Sequence, residues 1–200
     1  MSLRQDILDS EELTGLSIEG EDLSYLDFSS KTIEDVTLKD VSLISSSFDK
    51  ASLRNVRIIS SDLTSTSFES AFISSSLFSS SLMKGTSFYS SDIRRSVFEN
   101  IKGLYTLFTA ASLRNSVLRD SEFKDSDFSS VKSSKSSLEK IDFYGSSFIG
   151  TLLKDFDMSH VLFSASNFSE NLKELRDCSI NLESASSILK GLGIDLDLAQ

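Results

Sequence analysis

Large apolar residues recur along this chain at every fifth position. Between Leu13 and Phe168, thirty of the 32 positions in this register hold Leu, Ile, Phe or Met, and the exceptions are Gly103 and Ser133. The register continues through this stretch without an insertion or a deletion. A period of five matches neither the 3.6-residue period of an amphipathic helix nor the two-residue period of a strand. The pattern therefore predicts a repeat protein.

The residue two places before each large residue is also restricted. Of the 27 such positions from Val36 to Ser166, 24 hold Ala, Ser, Thr or Val. The unit reads small, polar, large apolar, polar, polar, as in residues 51–55 (ASLRN). Over about four fifths of the chain this motif resembles that of the pentapeptide repeat proteins. The resemblance implies an all-β fold, a right-handed quadrilateral β-helix with 20 residues per coil and with the large and small residues pointing inward.

The distribution of aromatic residues supports a coil of 20 residues. Every twentieth residue from Phe28 is phenylalanine, whereas the column that begins at Ile33 contains none. Because strands of neighbouring coils lie about 4.8 Å apart, we expect a core ladder of stacked rings. Its members are Phe28, Phe48, Phe68, Phe88, Phe108, Phe128, Phe148 and Phe168. About eight coils are predicted for residues 13–170.

The two ends of the chain depart from the repeat. Residues 1–12 keep Leu3 and Leu8 in register but lack the small residues, so a helical cap and a degenerate coil are both open. Residues 171–200 lose the register. There the apolar spacing predicts a short helical cap with Asn181 as its N-cap and Gly191 or Gly193 at its end. A short strand is predicted from Ile194 onward.

Residues 187–194 (SILKGLGI) resemble the C-terminal tail of the quinolone-resistance branch of the family. The resemblance implies that this tail joins two rods end to end as a homodimer. The alternative is a cap that keeps a monomer soluble. The dimer interface expected from the resemblance comprises Leu182, Ala185, Ile188, Leu189, Leu192, Ile194 and Leu196.

The residue composition argues against catalysis and against a metal site. The chain has one cysteine, Cys178, and one histidine, His160, so neither an internal disulfide nor a Cys/His zinc site can form. Glycine-rich phosphate-binding motifs are absent from the sequence. No basic leader followed by an apolar run and no apolar run of 18 residues occurs. We therefore expect a cytoplasmic protein that is not an enzyme, needs no cofactor or metal, and does not bind membranes.

The net charge of −10 is distributed unevenly along the chain. Residues 1–35 carry ten acids and two bases, residues 170–200 carry six acids and three bases, and the body between them carries 14 acids and 15 bases. The phenylalanine column is flanked by Asp27, Asp49, Glu69 and Asp127. The neighbouring Ile/Leu column is flanked by Arg54, Arg94, Arg95, Arg114, Lys132, Lys135 and Lys154.

The family resemblance suggests a use for the acidic charge. It implies a protein that imitates DNA and occupies the DNA-binding saddle of a type II topoisomerase, either DNA gyrase or topoisomerase IV, inhibiting it or protecting it from quinolones. Because the register is unbroken, the coils carry no projecting loop that could contribute to binding. The partner-binding acidic surface is predicted to be Glu19, Glu21, Asp22, Asp27, Asp49, Glu69 and Asp127.

Two other functions stay open at this point. One is a general protein-interaction scaffold or effector that uses a flat face of the rod. The other is direct binding of an anionic partner through Arg54, Arg94 and Arg114, because basic stripes are typical of nucleic-acid binding. The sequence pI of about 4.6 opposes the latter, so no direct binding of nucleic acid is expected.

Overall fold

The computed structural model describes residues 3–194. The chain forms a solenoid of parallel β-strands that makes about seven turns, with a short helix at each end. Each of its four faces contains one column of inward residues spaced 20 apart. We number the faces by the first inward residue of each column: face 1 from Leu13, face 2 from Ile18, face 3 from Leu23 and face 4 from Phe28. The predicted all-β solenoid is confirmed, and its right-handed sense stays a prediction.

Face 1 is a seven-stranded parallel sheet in which each strand contributes three residues. Successive strands are offset by 20 residues, so that Ile33 pairs with Leu53 and Leu53 with Ile73. The central residue of each strand points into the core, except that the last strand has the half-buried Ser133 there. The strands are Glu12–Thr14, Thr32–Glu34, Ser52–Arg54, Phe72–Ser74, Asp92–Arg94, Ser112–Arg114 and Lys132–Ser134.

A ten-stranded sheet forms face 2 and part of face 3. On face 2 its strands are Ser17–Glu19, Thr37–Lys39, Arg57–Ile59, Leu77–Ser79, Val97–Glu99, Val117–Lys124, Ser136–Asp142 and Phe156–Ser159. Leu82–Lys84 and Lys102–Leu104 are its strands on face 3. Val117–Lys124 and Ser136–Asp142 continue around the corner between the two faces. The remainder of faces 3 and 4 consists of single bridges and turns.

The corners of the coil lie at the fifth residue of each repeat. These residues have left-handed backbone angles, such as φ of 58° at Lys50 and 52° at Asn55. On face 4 the turn is closed by the N–H of Ala51, which donates to the carbonyl of Phe48 at 3.1 Å. Because Asn, Asp and Gly accept this conformation at the lowest cost, their frequency at this place has a local cause.

The predicted ladder of phenylalanines on face 4 is confirmed. Ring centroids of neighbouring members are 4.4 Å apart between Phe28 and Phe48 and 5.0 Å apart between Phe68 and Phe88, with near-parallel planes. The spacing widens to 5.8 Å between Phe148 and Phe168. Phe168 is only partly buried, since it lies at the end of the rod.

A second set of phenylalanines packs edge-on against this ladder and changes face along the rod. Phe78 and Phe98 come from face 2, whereas Phe123, Phe143 and Phe163 come from face 3. The change occurs at Gly103 on face 3. A Cβ atom at that position would overlap Cδ1 of Phe123 and would lie 2.9 Å from Oγ1 of Thr106. Gly103 therefore provides the space into which the Phe123 ring turns.

Buried serines at the small position connect one coil with the next. The N–H of Ser76 donates to Oγ of Ser96 at 3.1 Å, and the N–H of Ser96 donates to Oγ of Ser116 at 3.2 Å. Oγ of Ser96 in turn donates to the carbonyl of Arg94 at 2.9 Å. A buried N–H without a partner is costly. The serine hydroxyl therefore meets a hydrogen-bonding need as well as a need for small volume.

The N-terminal residues form a helical cap, not a coil. The helix Leu3–Asp9 buries Ile7 over the first coil. Arg4 donates to the carbonyls of Asp22 and Ser24 at 2.6 and 3.0 Å. Lys31 Nζ donates to the carbonyl of Leu8 at 3.1 Å, so that both ends of the helix are tied to the rod.

The C-terminal end of the rod closes in two stages. Face 1 has no strand after Lys132–Ser134, because Leu153–Asp155 forms a 3₁₀ helix in its place, which still buries Leu153 in the core. Oγ of Ser133 donates to the carbonyl of Asp155 at 3.1 Å. Face 1 therefore has seven strands, one fewer than the eight that the eight predicted coils would give. A second 3₁₀ helix, Lys173–Leu175, places the carboxylate of Glu174 under the last coil.

The predicted C-terminal helix is confirmed as Leu182–Gly191. Oδ1 of Asn181 accepts from the N–H of Ser184 at 2.8 Å, which makes Asn181 the N-cap. Gly193, at φ of 77°, ends the helix: its N–H donates to the carbonyl of Lys190, and that of Ile194 donates to Leu189. Ile194 is in no strand, and the strand predicted beyond it lies outside the described residues.

Candidate protein-binding surfaces

Most of the acids predicted to bind a partner lie together on faces 3 and 4 of the first three coils. Their side chains line the outside of the rod beside the inward residues Leu23, Phe28, Phe48 and Phe68. Asp62, which the sequence analysis did not include, joins them on face 3. We call this group the acidic surface; it consists of Glu21, Asp22, Asp27, Asp49, Asp62 and Glu69.

Hydrogen bonds orient the aspartates that precede an inward residue. Oδ1 of Asp22 accepts from the N–H of Ser24 at 2.9 Å, and Oδ1 of Asp27 accepts from the N–H of Ser29 at 2.8 Å. Asp62 makes the same bond to the N–H of Thr64 at 2.8 Å. Such bonds span two residues and are typical of aspartate in turns. This regularity at one repeat position is the signal by which Asp62 could have been found.

The same bonds favour the charged form of two of these carboxylates. Hydrogen bonds from Ser24 lower the pKa of Asp22, and hydrogen bonds from Ser29 lower the pKa of Asp27. A carboxylate that accepts hydrogen bonds when ionised is more acidic than a free one. The hydrogen bonds therefore favour the ionised forms of Asp22 and Asp27.

Asp49 and Glu69 are linked across neighbouring coils on face 4. Oδ1 of Asp49 accepts from the N–H of Glu69 at 3.0 Å and from Oγ of Ser67 at 2.5 Å. Oε1 of Glu69 accepts from Oγ of Ser87 at 3.1 Å. These bonds hold both carboxyl groups against the rod, in register with the coil repeat.

Two acids predicted for the same surface lie elsewhere. Glu19 is on face 2, where its carboxylate pairs with Lys39 at 2.5 Å. Asp127 is on face 4, three coils beyond Glu69, and its Oδ1 accepts from the N–H of Ser129 at 2.7 Å. The acids between these coils are replaced by Tyr89 and Thr109. The seven predicted residues therefore do not form one continuous surface.

The basic residues predicted for the Ile/Leu column line face 1. Arg54 and Arg94 flank the half-buried ring of Phe72, with guanidinium carbons 5.8 and 5.3 Å from its centroid. Arg94 also pairs with Asp92 at 2.5 Å. Arg114 and Lys132 extend the row, Arg95 and Lys135 lie at its corners, and Lys154 is in the 3₁₀ helix beyond it.

A family model described as "Pentapeptide repeat region" matches residues 31–108. These residues include four strands of face 1, four of face 2 and two of face 3, and here the motif, the left-handed corners and the inward columns coincide. Over these residues the chain is similar to a pentapeptide repeat region. No curated protein matches it over its sequence.

Several solved pentapeptide repeat structures are similar to this protein in backbone arrangement. The full-length plasmid-mediated fluoroquinolone resistance protein QnrB1 is 16% identical, with 92% of this chain and 100% of that chain covered at a TM-score of 0.40. HetL from the cyanobacterium Nostoc, involved in heterocyst differentiation regulation, is 17% identical, with 78% and 84% covered at 0.31. A thylakoid-lumen protein of Arabidopsis thaliana is 15% identical, with 84% and 83% covered at 0.28.

The C-terminal helix of this chain has one face on the rod and one face exposed. Ile188 and Ser184 are buried, and Oγ of Ser184 donates to the carbonyl of Val161 at 2.9 Å. Leu182, Leu192 and Ile194 are 61%, 48% and 50% exposed. Of the predicted dimer residues, Ile188 is thus occupied within its own chain, Ala185 and Leu189 are half-buried, and Leu196 lies outside the described residues.

No group of three or more His, Cys, Asp or Glu side chains in residues 3–194 could hold a metal ion. Burial raises the pKa of the Cys178 thiol, which disfavours the reactive thiolate. No helix within the described part of the chain is long and apolar enough to cross a membrane.

Proposed function

We propose that this chain is a non-enzymatic DNA mimic that binds a type II topoisomerase, either DNA gyrase or topoisomerase IV, through its acidic surface. Bound there, it modulates the enzyme or protects it from quinolone-type poisons. The observation that carries the proposal is the set of six carboxylates on two adjacent faces of a rod, five of them oriented by hydrogen bonds to the rod.

The density of charge on this surface is comparable to that of DNA. Three coils span about 14 Å at the spacing of neighbouring strands. Duplex DNA carries about eight phosphates over that length, at one per about 1.7 Å of axis. The six carboxylates of the acidic surface approach this number. Their hydrogen bonds mean that little side-chain entropy is lost on binding, which favours affinity.

Charge pairing elsewhere on the rod restricts the mimicry to this end. Glu99 pairs with Arg119 at 2.5 Å, Glu122 with Lys124 at 2.6 Å, and Asp120 with Lys140 at 3.5 Å. Within the described part of the chain, none of the six acids of the acidic surface belongs to such a pair. A DNA-binding protein would therefore meet unneutralised charge on the first three coils.

Dimerisation through the C-terminal helix is part of the proposal. Leu182, Leu192 and Ile194 present an apolar surface at the end of the rod opposite to the acidic surface. Burial of such a surface against a second copy is favourable. An end-to-end dimer would carry an acidic surface at each end of a rod of twice the length.

The test is a DNA supercoiling assay with gyrase and a decatenation assay with topoisomerase IV, each with and without a quinolone. The test variant combines Asp27→Asn, Asp49→Asn and Glu69→Gln. It removes three charges and keeps side-chain oxygens that can accept hydrogen bonds. The matched control combines Glu139→Gln, Asp157→Asn and Glu183→Gln, which remove the same charge from other surfaces. We expect the wild type and the control to inhibit supercoiling or rescue it from the drug, and the test variant to lose about tenfold or more in potency.

Two results would contradict this function. If the wild type at tens of micromolar changes neither enzyme, with or without the drug, the chain does not act on type II topoisomerases. If the test variant and the control retain equal potency, binding does not use the acidic surface. Circular dichroism of both triple variants establishes that they are folded.

A further inference from the structure

We infer that face 1 is a self-complementary surface that binds face 1 of a second copy of this chain in antiparallel orientation. The two-fold axis of this pair runs between the two sheets, along the central strand Phe72–Ser74. This contact is separate from the C-terminal interface and from the acidic surface, and it does not depend on the proposed function.

The inference begins from the symmetry of the sheet. Face 1 has seven strands, and Phe72–Ser74 is the fourth. Each strand turns its first and third residues outward. A two-fold axis along the central strand places the first strand opposite the seventh, the second opposite the sixth and the third opposite the fifth. Within each pair of facing strands, the first residue of one copy lies opposite the first residue of the other copy, and the third lies opposite the third. The partner of every outward residue is therefore defined.

The outward charges match under this operation. Glu12 on the first strand meets Lys132 on the seventh, and Glu34 on the second meets Arg114 on the sixth. The remaining outward residues of these strands are small and polar, with Thr14 opposite Ser134 and Thr32 opposite Ser112. Each of these contacts occurs twice in a symmetric pair, as in any isologous interface.

The centre of face 1 is aromatic. Phe72 is the outward first residue of the central strand and would meet the Phe72 of the second copy at the axis. Arg54 and Arg94 hold this ring between them, which keeps it in a defined orientation. They also form the one like-charged contact of the pair, and Asp92, bound to Arg94 at 2.5 Å, offsets it. An aromatic centre within a charged rim is typical of protein interfaces.

Face 2 differs in a way that supports the assignment. Two of its oppositely charged pairs form between neighbouring coils of the chain itself, Lys39 with Glu19 and Arg119 with Glu99. On face 1, by contrast, Glu12, Glu34, Arg114 and Lys132 belong to no ion pair among residues 3–194. Glu12 and Lys132 lie on the first and the last strand of the sheet, about 29 Å apart at the usual strand spacing. Only a second chain can bring these two side chains together, whereas Glu34 also has Arg54 in register on the next strand.

The size of the contact sets its expected strength. Seven strands at about 4.8 Å and five residues at about 3.3 Å give a face of about 30 by 16 Å. Two such faces bury on the order of 1,000 Å², which is the lower limit for a specific interface. We therefore expect a reversible dimer at micromolar concentrations, weakened by salt because charged groups contribute to it.

The experiment measures molar mass by sedimentation velocity and light scattering at 1–100 μM in low salt. All samples carry Leu192→Glu, which disrupts end-to-end association through the C-terminal helix. We compare Glu12→Lys, Lys132→Glu, and the two changes combined. Each single change puts like charges opposite each other twice per dimer and should weaken association about tenfold. The combined change restores opposite charges and should return association to the starting level.

Arg57→Glu is the matched control, because Arg57 is exposed on face 2 and the change in net charge equals that of Lys132→Glu. The inference is overturned if the Leu192→Glu protein is monomeric at 100 μM, or if Arg57→Glu weakens association as much as Lys132→Glu. It is also overturned if the combined variant is no better than the single ones. Each sample keeps the acidic surface intact, so the supercoiling assay can fail or succeed independently of this result.

Discussion

The two halves of the rod, which meet at Gly103, fill the same kind of core in different ways. Before Gly103 the phenylalanines that pack edge-on against the face 4 ladder come from face 2, at Phe78 and Phe98. After it they come from face 3, beginning at Phe123, and face 2 carries Leu118 and Leu138. From residue 73 onward each coil thus has two phenylalanines in the inward columns, and the face that supplies the second one changes at Gly103, whereas the first three coils have only their member of the ladder.

The halves also differ in how they are closed. The N-terminal half ends under an apolar side chain, Ile7, which is almost completely buried. The C-terminal half ends over the buried carboxylate of Glu174. Coils interact mainly with their neighbours in a solenoid, so each closure acts on the adjacent coils. The predictions that follow perturb the junction of the halves first and then one of their ends.

Phe108→Ala should cause the largest loss of stability, because Phe108 belongs to both halves of the core. Its ring stacks on Phe88 and Phe128 at 4.8 Å and meets Phe98 and Phe123 edge-on at 5.7 Å. Truncation of a fully buried phenylalanine costs about 3–5 kcal/mol. Urea unfolding followed by circular dichroism measures the free energy of unfolding.

Phe168→Ala is the control for that change, since Phe168 is the partly buried last member of the same ladder. It should cost clearly less than Phe108→Ala. Equal losses at the two positions would mean that the ladder contributes uniformly and that the junction has no special role.

Gly103→Leu should be the next most damaging, although it restores the residue type that the repeat favours. The new side chain would occupy the space of the Phe123 ring, and its Cβ would lie 2.9 Å from Oγ1 of Thr106. Overpacking of a core costs about 1–3 kcal/mol. The same urea titration checks this expectation.

The double variant Gly103→Leu with Phe123→Leu decides whether the overlap is the cause. Removal of the ring should recover most of the loss, although the double variant also loses edge-on contacts with Phe108 and Phe128. If the double variant loses more unfolding free energy than the two single variants lose together, the overlap with the Phe123 ring is not the cause. Gly103 would then be required for its backbone and not for the space that it leaves.

The period of five, read with the family resemblance, was enough to predict the solenoid, its 20-residue coil and the face 4 ladder, because each depends on inward residues alone. The acidic surface was predicted in part. Glu19 was included with the acids near the N-terminal tip, and Asp127 was included because it flanks the phenylalanine column. In the structure Glu19 pairs with Lys39 on face 2, and Asp127 accepts from the N–H of Ser129 three coils beyond Glu69. Side-chain pairing across coils is invisible in a list of charges.

Other features could not be predicted from the pattern because they depend on what surrounds a residue. The role of serine in the coil-to-coil hydrogen bonds follows from the N–H that each hydroxyl accepts, and small size alone would have allowed alanine. The space at Gly103 is defined by a ring 20 residues away. Glu174 lies where the register has already ended, so no periodic signal indicated its burial.

Glu174→Gln should lower the free energy of unfolding less than Phe108→Ala or Gly103→Leu. The loss should be confined to the C-terminal end of the rod. Oε1 of Glu174 accepts from the N–H of Gly150 at 2.8 Å, and Oε2 accepts from Oγ of Ser169 at 2.6 Å. The amide can replace one of these acceptors but not both, and hydrogen bonds to a charged group contribute about 1.5–3 kcal/mol. At pH 7 we expect a loss of about 1.5 kcal/mol, measured against Glu170→Gln at an exposed position.

The pH dependence of this loss identifies the charge as its cause. Burial alone would raise the pKa of Glu174, but the hydrogen bonds from Ser169 and Gly150 outweigh it and hold that pKa below its ordinary value. A depressed pKa in the folded state stabilises the protein above the pKa of the unfolded chain, about 4.3, and this contribution is lost as the pH falls through the folded value. The difference in unfolding free energy between wild type and Glu174→Gln should therefore be constant from pH 7 to about pH 5 and should shrink below that. A difference that stays constant down to pH 3 would mean that the carboxylate stabilises the end of the rod by its shape alone.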